Sequence, residues 1–512
     1  MKKQLKFKLL AIALISIIAT IGIGCDRLFK KPFQLPASAK QEPWPIQTGL
    51  RSAIVRENIP TVNRVVLVPD EATFLAAIQK WNLKCNWPIL IEDKKYAPMF
   101  LQRFQPEEIV RLPSIKQQLP KNQKLQQLML NSAAAAWNAT NTQTLKAKWK
   151  QLGWEPPGVV ITSENDPARS AAVALAAAHG EPLVFLEGNF GKPNDTLNNT
   201  QWKTLQTAVT KAVESTGYFY SQLGDAIDTI TIVRQLGVKY QSPQNKDEQL
   251  AVTDGLGRHP NGERWGAVGW IYGSEVRSIY QAMCALFLDT ETAMLYDSYP
   301  KEGNWGKYEM EAAASGLKTI DVNVEIVQQP ESSLEKWRSL ASKPWTFDLI
   351  LMNSKGYPKS FQVGNGDASV EDIPKLQFPA AIHMIHSWSA AAPDDKNTVA
   401  GRWLENGAYA YIGSVNEPLL SAFIPPKLMV DRLKRRAPFL IAARQLESPP
   451  WKVATIGDPL MPIAKPRPRI PPSQQPMRSC ARSIGDWRLE IGDWRLEICG
   501  FKVKSQISNY LI

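Results

Sequence analysis

Apolar positions along this chain follow two rhythms. Short unbroken apolar runs recur at Arg64-Val65-Val66-Leu67-Val68, Pro88-Ile89-Leu90-Ile91, Val159-Val160-Ile161 and Pro182-Leu183-Val184-Phe185-Leu186. Runs of that length and composition read as strands buried on both faces. Between them, apolar side chains return every three or four positions. Glu71 to Trp81 places Phe74, Leu75 and Ile78 on one side, and Ala168 to Ala178 follows Asp166, a capping residue. The spacing from Val65 to Pro88 is repeated from Val159 to Pro182. Strand–helix–strand units of this kind predict parallel pairing with helices laid across the sheet. Residues 61–245 are therefore expected to be an α/β region built on two related βαβ units.

The second half keeps the alternation and adds small-residue turns in a fixed order. Ala251-Val252-Thr253-Asp254 precedes a glycine-rich loop, then Trp265-Gly266-Ala267-Val268-Gly269-Trp270 and a helix from Glu275 to about Phe287. Phe347 to Met352 runs into Asn353-Ser354-Lys355-Gly356. Ala380 to His386 ends at Ser387-Trp388-Ser389. Gly407 to Ser414 and Ile456-Gly457-Asp458-Pro459 follow. In this order the segments, over residues 251–461, resemble the gingipain-like cysteine peptidases, which have a caspase-like fold. The resemblance implies a mainly parallel α/β domain over 246–465. It also implies an aspartate-bearing strand at Asp254, a catalytic His at Ser354-Lys355-Gly356, a nucleophilic Cys at Ser387 and an Arg at Trp270. All three signature residues are replaced here, which implies a degenerate site.

Two chemistries remain open at that site. Lys355 and Ser387 would face each other from neighbouring strand ends, and a Lys kept neutral by burial can serve as base for a Ser nucleophile. Backbone N–H groups near Ser387 and Gly356 would then stabilise an oxyanion. The alternative is a cleft that binds and does not cut, lined by Asp254, Trp270, Gly356, His386 and Trp388. Gly356 and Ser387 are expected at the C-terminal ends of adjacent strands, where open α/β sheets place ligands. His383 and His386, three apart, fall on opposite faces of a strand, so no metal site is expected. No Gly-x-Gly-x-x-Gly follows either early strand, so no nucleotide cofactor is expected.

Composition adds location and tether. Met1–Lys8 is basic and Leu9–Gly24 apolar, ending at Cys25. That pattern reads as an export signal over residues 1–24. The small residues before Cys25 resemble a bacterial lipobox, which implies a lipid on Cys25 and a membrane-anchored lipoprotein of the cell envelope. Five prolines between residues 30 and 60 predict that 25–60 is an extended tether. The chain has 512 residues and a net charge of +12, and the excess is scattered without a nucleic-acid-binding motif. The expected partners are thus a membrane and an envelope peptide or glycan, not nucleic acid. Residues 466–512 begin proline-rich and carry Ile484-Gly485-Asp486-Trp487-Arg488-Leu489-Glu490 twice in succession. They are expected to be an unpacked tail. A structural envelope protein with no ligand is the third reading.

Overall fold

The computed structural model describes residues 31–364, 366–445, 451–464 and 466–474. Cys25, the signal-like segment and the duplicated heptad lie outside these residues. Residues 44–58 are not a tether. Trp44–Asn58 is an α-helix with Pro43 as its N-cap and Pro45 in its first turn. Proline lacks only an N–H that the first turn leaves unused, so these prolines start the helix and do not break it. Its inner side buries Ile46 and Val55, and Arg51 pairs with buried Asp228 at 3.0 Å.

The first βαβ unit is β1 (Arg64–Val68), a helix Glu71–Ile78 and β2 (Ile89–Ile91). Asp70 starts that helix by accepting the Thr73 N–H at 2.8 Å. With β3 (Glu108–Arg111) these strands form a parallel sheet in the order β2-β1-β3. The second unit is β4 (Gly158–Thr162), a helix Arg169–His179 and β5 (Leu183–Phe185), again parallel. The two units share their grammar but not their sheet.

Further along come β6 (Thr196–Leu197), β7 (Thr229–Val233), β8 (Lys239–Gln241), β9 (Gln249–Ala251), β10 (Ala267–Ile271), β11 (Thr292–Asp297) and β12 (Asn323–Val327). After them come β13 (Leu349–Asn353), the hairpin strands β14 (Gly356–Tyr357), β15 (Ser360–Val363) and β16 (Gly366–Ser369), β17 (Ala380–Ile385), β18 (Ala408–Ser414) and β19 (Val453–Ile456). Ten of these strands form one central sheet, ordered β12-β11-β13-β17-β18-β19-β10-β7-β4-β5. Every neighbouring pair is parallel except β18 and β19. The protein is thus α/β with a large, mostly parallel sheet.

That one antiparallel seam divides the sheet into two halves with the same plan. Numbered along the chain, β11, β12, β13, β17 and β18 lie in the order 2-1-3-4-5. So do β4, β5, β7, β10 and β19. The fifth strands meet at the seam, so the C-terminal strand ends of the two halves point to opposite edges. A boundary at 245/246 does not match this plan. β10 belongs with β7 and β4, and β19, from the far end of the chain, completes the same half.

Both faces of the sheet are covered, which is why its strands are unbroken apolar runs. Along β17, Ala381 and Ile385 face one core; Ala380, Ile382 and Met384 face the other. The segment after Met461 is also part of the fold. Ile463 is buried. Ile470 exchanges backbone hydrogen bonds with Thr61 and Asn63 at 2.9 and 2.8 Å. The Arg467 N–H reaches Asp289 at 3.1 Å. The proline-rich stretch through residue 474 packs because prolines suit an extended strip that needs few donors.

Candidate functional site

β13 and β17 are adjacent and parallel, with Asn353 opposite Ile385. The Ser354 N–H still bonds the Ile385 carbonyl at 3.0 Å. Lys355-Gly356 and His386-Ser387 therefore leave the sheet side by side. Gly356 is required here by close approach. A Cβ on it would lie 2.3 Å from the Ser360 carbonyl oxygen and 2.6 Å from His386 Nε2.

His386 is 1% exposed. Its Nε2 lies 3.1 Å from the Ser360 carbonyl, so that nitrogen carries the proton and donates. Burial pushes its pKa down to about 4, against weaker support from the Ser360 and Ser387 backbone. The ring is a neutral strut between β17 and the β14–β15 hairpin. His383 faces the other core, with neither ring nitrogen hydrogen-bonded, and burial likewise pushes it to about 4.

The expected Ser–Lys pair is not formed. Ser387 Oγ donates to Glu417 Oε1 at 3.0 Å. Lys355 is exposed, while its carbonyl accepts the Gln362 N–H at 2.7 Å. The hairpin that starts at Gly356 holds the Lys355 backbone and leaves its side chain exposed to solvent, not hydrogen-bonded to Ser387.

Trp388 sits in the left-handed region, with φ +56°. For a bulky L-residue this costs about 1–2 kcal/mol. Its N–H and indole Nε1 donate to the carbonyl and Oδ1 of Asn416, at 3.2 and 3.0 Å. Its ring lies parallel to Tyr357, with centroids 5.7 Å apart and planes 13° apart. Tyr357 is 67% exposed. A strained aromatic, held by two hydrogen bonds beneath an exposed ring, marks this strand end as more than a turn.

Two expected members are elsewhere. Trp270 is fully buried near the C-terminal end of β10, which runs opposite to β17, so it lies toward the far edge of the sheet. Its Nε1 donates to the Arg234 carbonyl at 2.8 Å, and its ring stacks on Tyr272. Asp254 is on a short helix, Val252–Gly255, and is 4% exposed. It accepts from Arg258 at 2.8 Å and from Arg264. Burial alone would raise its pKa; the guanidinium groups of Arg264, Arg444 and Arg258 outweigh that and hold it below the usual range. Asp254 is thus consumed in a buried ion cluster and lines no cleft.

Sequence reasoning missed Tyr357, Asn416 and Glu417. Glu417 could have been found, because it follows β18, the next parallel neighbour of β17, at the same edge. The closing Asp458 proves structural: its Oδ2 meets His179 Nε2 at 2.7 Å and its Oδ1 accepts the Leu460 N–H at 2.9 Å. Among the described residues, no group of three or more His, Cys, Asp or Glu could hold a metal ion. Nor is any described helix long and apolar enough to cross a membrane.

No family model matches the chain, and no curated protein matches it either. Among solved structures, one titled "Structure of Protease" aligns at 10% identity with a TM-score of 0.40, covering 60% of this chain and 79% of that one. A likeness at that level fixes neither family nor activity.

Proposed function

We propose that this protein is an exported, membrane-tethered lipoprotein whose second half is a gingipain-like domain that binds an envelope peptide or glycan and no longer cuts one. The observation that carries the loss of catalysis is the environment of Ser387. Its hydroxyl is engaged by the Glu417 carboxylate, and the neighbouring imidazole of His386 is turned to Ser360. Neither Lys355 nor His386 is hydrogen-bonded to that hydroxyl, so the expected Ser–Lys dyad is not assembled, and the carboxylate that does accept from it, Glu417, has no counterpart in the gingipain-like catalytic set. The observation that favours binding is the stacked Tyr357–Trp388 pair at the same strand ends.

A fluorophosphonate probe tests the catalytic half of this reading. No labelling of the wild-type protein is expected. Labelling that disappears in Ser387→Ala would overturn the binding reading in favour of a serine hydrolase. The tether is tested separately by fatty-acid labelling of wild type and Cys25→Ala. Incorporation in wild type alone is expected, and equal incorporation in both would remove the lipid anchor.

A further inference from the structure

We infer that the ligand of this site is a saccharide, held by stacking on Tyr357 with Trp388 backing that ring; this rests on the binding reading above. The first ground is shape. The two rings are stacked with their planes 13° apart, and Tyr357, the outer one, is 67% exposed. Tyr357 presents a flat apolar face backed by Trp388, not a pocket. A sugar ring offers a matching flat face of C–H groups, whereas an apolar peptide side chain gains most from being enclosed.

The second ground is the fringe. Ser387, bonded through Oγ to the Glu417 carboxylate, directly precedes Trp388, and the exposed Lys355 precedes Tyr357 by two residues. Together they donate and accept hydrogen bonds, which suits hydroxyl groups that do both. Glu417 is itself positioned, since its N–H donates to Asn416 Oδ1 at 2.7 Å. That same oxygen accepts the Trp388 indole N–H at 3.0 Å. One amide therefore sets the aromatic face and the carboxylate relative to each other.

The third ground is backbone strain. Trp388 occupies a left-handed conformation that Gly or Asn adopts more easily. A turn alone would not call for an aromatic there, but presenting a ring does.

The test uses the exported protein with soluble N-acetylglucosamine oligomers and cell-wall glycan fragments, read by tryptophan fluorescence and calorimetry. Tripeptides and cell-wall stem peptides form the second arm. Glycan binding is expected. Tyr357→Ala and Trp388→Asn should each weaken it at least tenfold, Asn being chosen because it tolerates the backbone. A circular dichroism melt confirms that each variant is folded. Peptide binding that needs Trp388, with no glycan binding, would overturn the saccharide assignment and leave the binding reading standing. Fluorophosphonate labelling at Ser387 would overturn the binding reading itself. Glycan binding unchanged in both variants would overturn the site, and so would no binding of either class.

Discussion

The two half-sheets share one strand order yet end in different chemistry. At the edge where β4, β5 and β7 stop, charged groups are consumed in holding loops. Asp166 accepts the N–H groups of Ala168 and Gln235 at 2.9 and 2.8 Å. Arg234 donates to the carbonyls of Leu186 and Gly188, and Ser163 donates to Glu187 at 2.7 Å. At the opposite edge, where β13, β17 and β18 stop, small polar groups and the neutral imidazole of His386 stand behind an exposed Tyr357 stacked on Trp388. A parallel 2-1-3-4-5 sheet creates a crevice beyond its strand ends in either case. The side chains decide how each crevice is lined: charged groups that clamp loops at the first edge, an exposed aromatic face at the second.

Asp254→Asn should have the largest effect. It leaves the buried guanidinium groups around it without their shared carboxylate, which should cost about 3–5 kcal/mol. Because the sheet is continuous, a urea melt should still show one transition for both halves. A separate early transition would show that the halves fold as independent units. Next, ending the chain after Met461 removes buried Ile463 and the strip that pairs with Thr61 and Asn63, a loss of about 3 kcal/mol. An unchanged melting temperature would mean that the strip contributes nothing.

Buried groups of the two kinds, carboxyl and imidazole, should also respond oppositely to acid. Beside β4 and β7, burial pushes Glu181 up to about 8 and Asp228 up to about 7. Such carboxyls weaken the folded state as pH rises toward those values and cease to do so once pH falls below the unfolded carboxyl pKa. His383, pushed down to about 4 by burial, behaves the other way. Its contribution is complete above the unfolded value of about 6.5 and falls as pH drops toward 4. At pH 5 that loss is about 2 kcal/mol. His383→Leu should therefore stabilise the protein at pH 5 more than at pH 8 in paired denaturant melts. An equal shift at both pH values would show that this imidazole does not stay neutral. The smallest effect is expected from Trp388→Asn, which relieves the left-handed strain. Against lost stacking, it should change stability by no more than about 1 kcal/mol. A loss of several kcal/mol would mean that the ring is core, not platform.

Much of the architecture was legible in the sequence. Unbroken apolar runs and three-to-four spacing located both βαβ units, because burial on two faces leaves no room for polar residues. The convergence of Gly356 and Ser387 was also legible, since two apolar strands stopping at small or polar residues leave few other places to end. The site's membership was legible only in part. His386 and Trp388 directly follow β17, whereas Trp270 and Asp254 are buried elsewhere. Lys355 points into solvent. Tyr357, Asn416 and Glu417 had no local pattern to betray them.

What the sequence by itself determined is most of the α/β framework: the strands and helices of both βαβ units, β13 and β17 follow from periodicity and capping chemistry within a few residues. The helix Trp44–Asn58 and the strip that pairs with Thr61 were not read, because their prolines looked like linker until the surfaces they pack on were known. What only the tertiary structure decided is direction and neighbourhood. Trp270 and Trp388 both stand near the C-terminal ends of parallel strands, and nothing local separates them. They lie toward opposite edges because β18 and β19 meet antiparallel, a contact between segments far apart in the chain. Long-range pairing of that kind is set by which apolar faces can be buried together, a property of the whole core and not of any window of sequence.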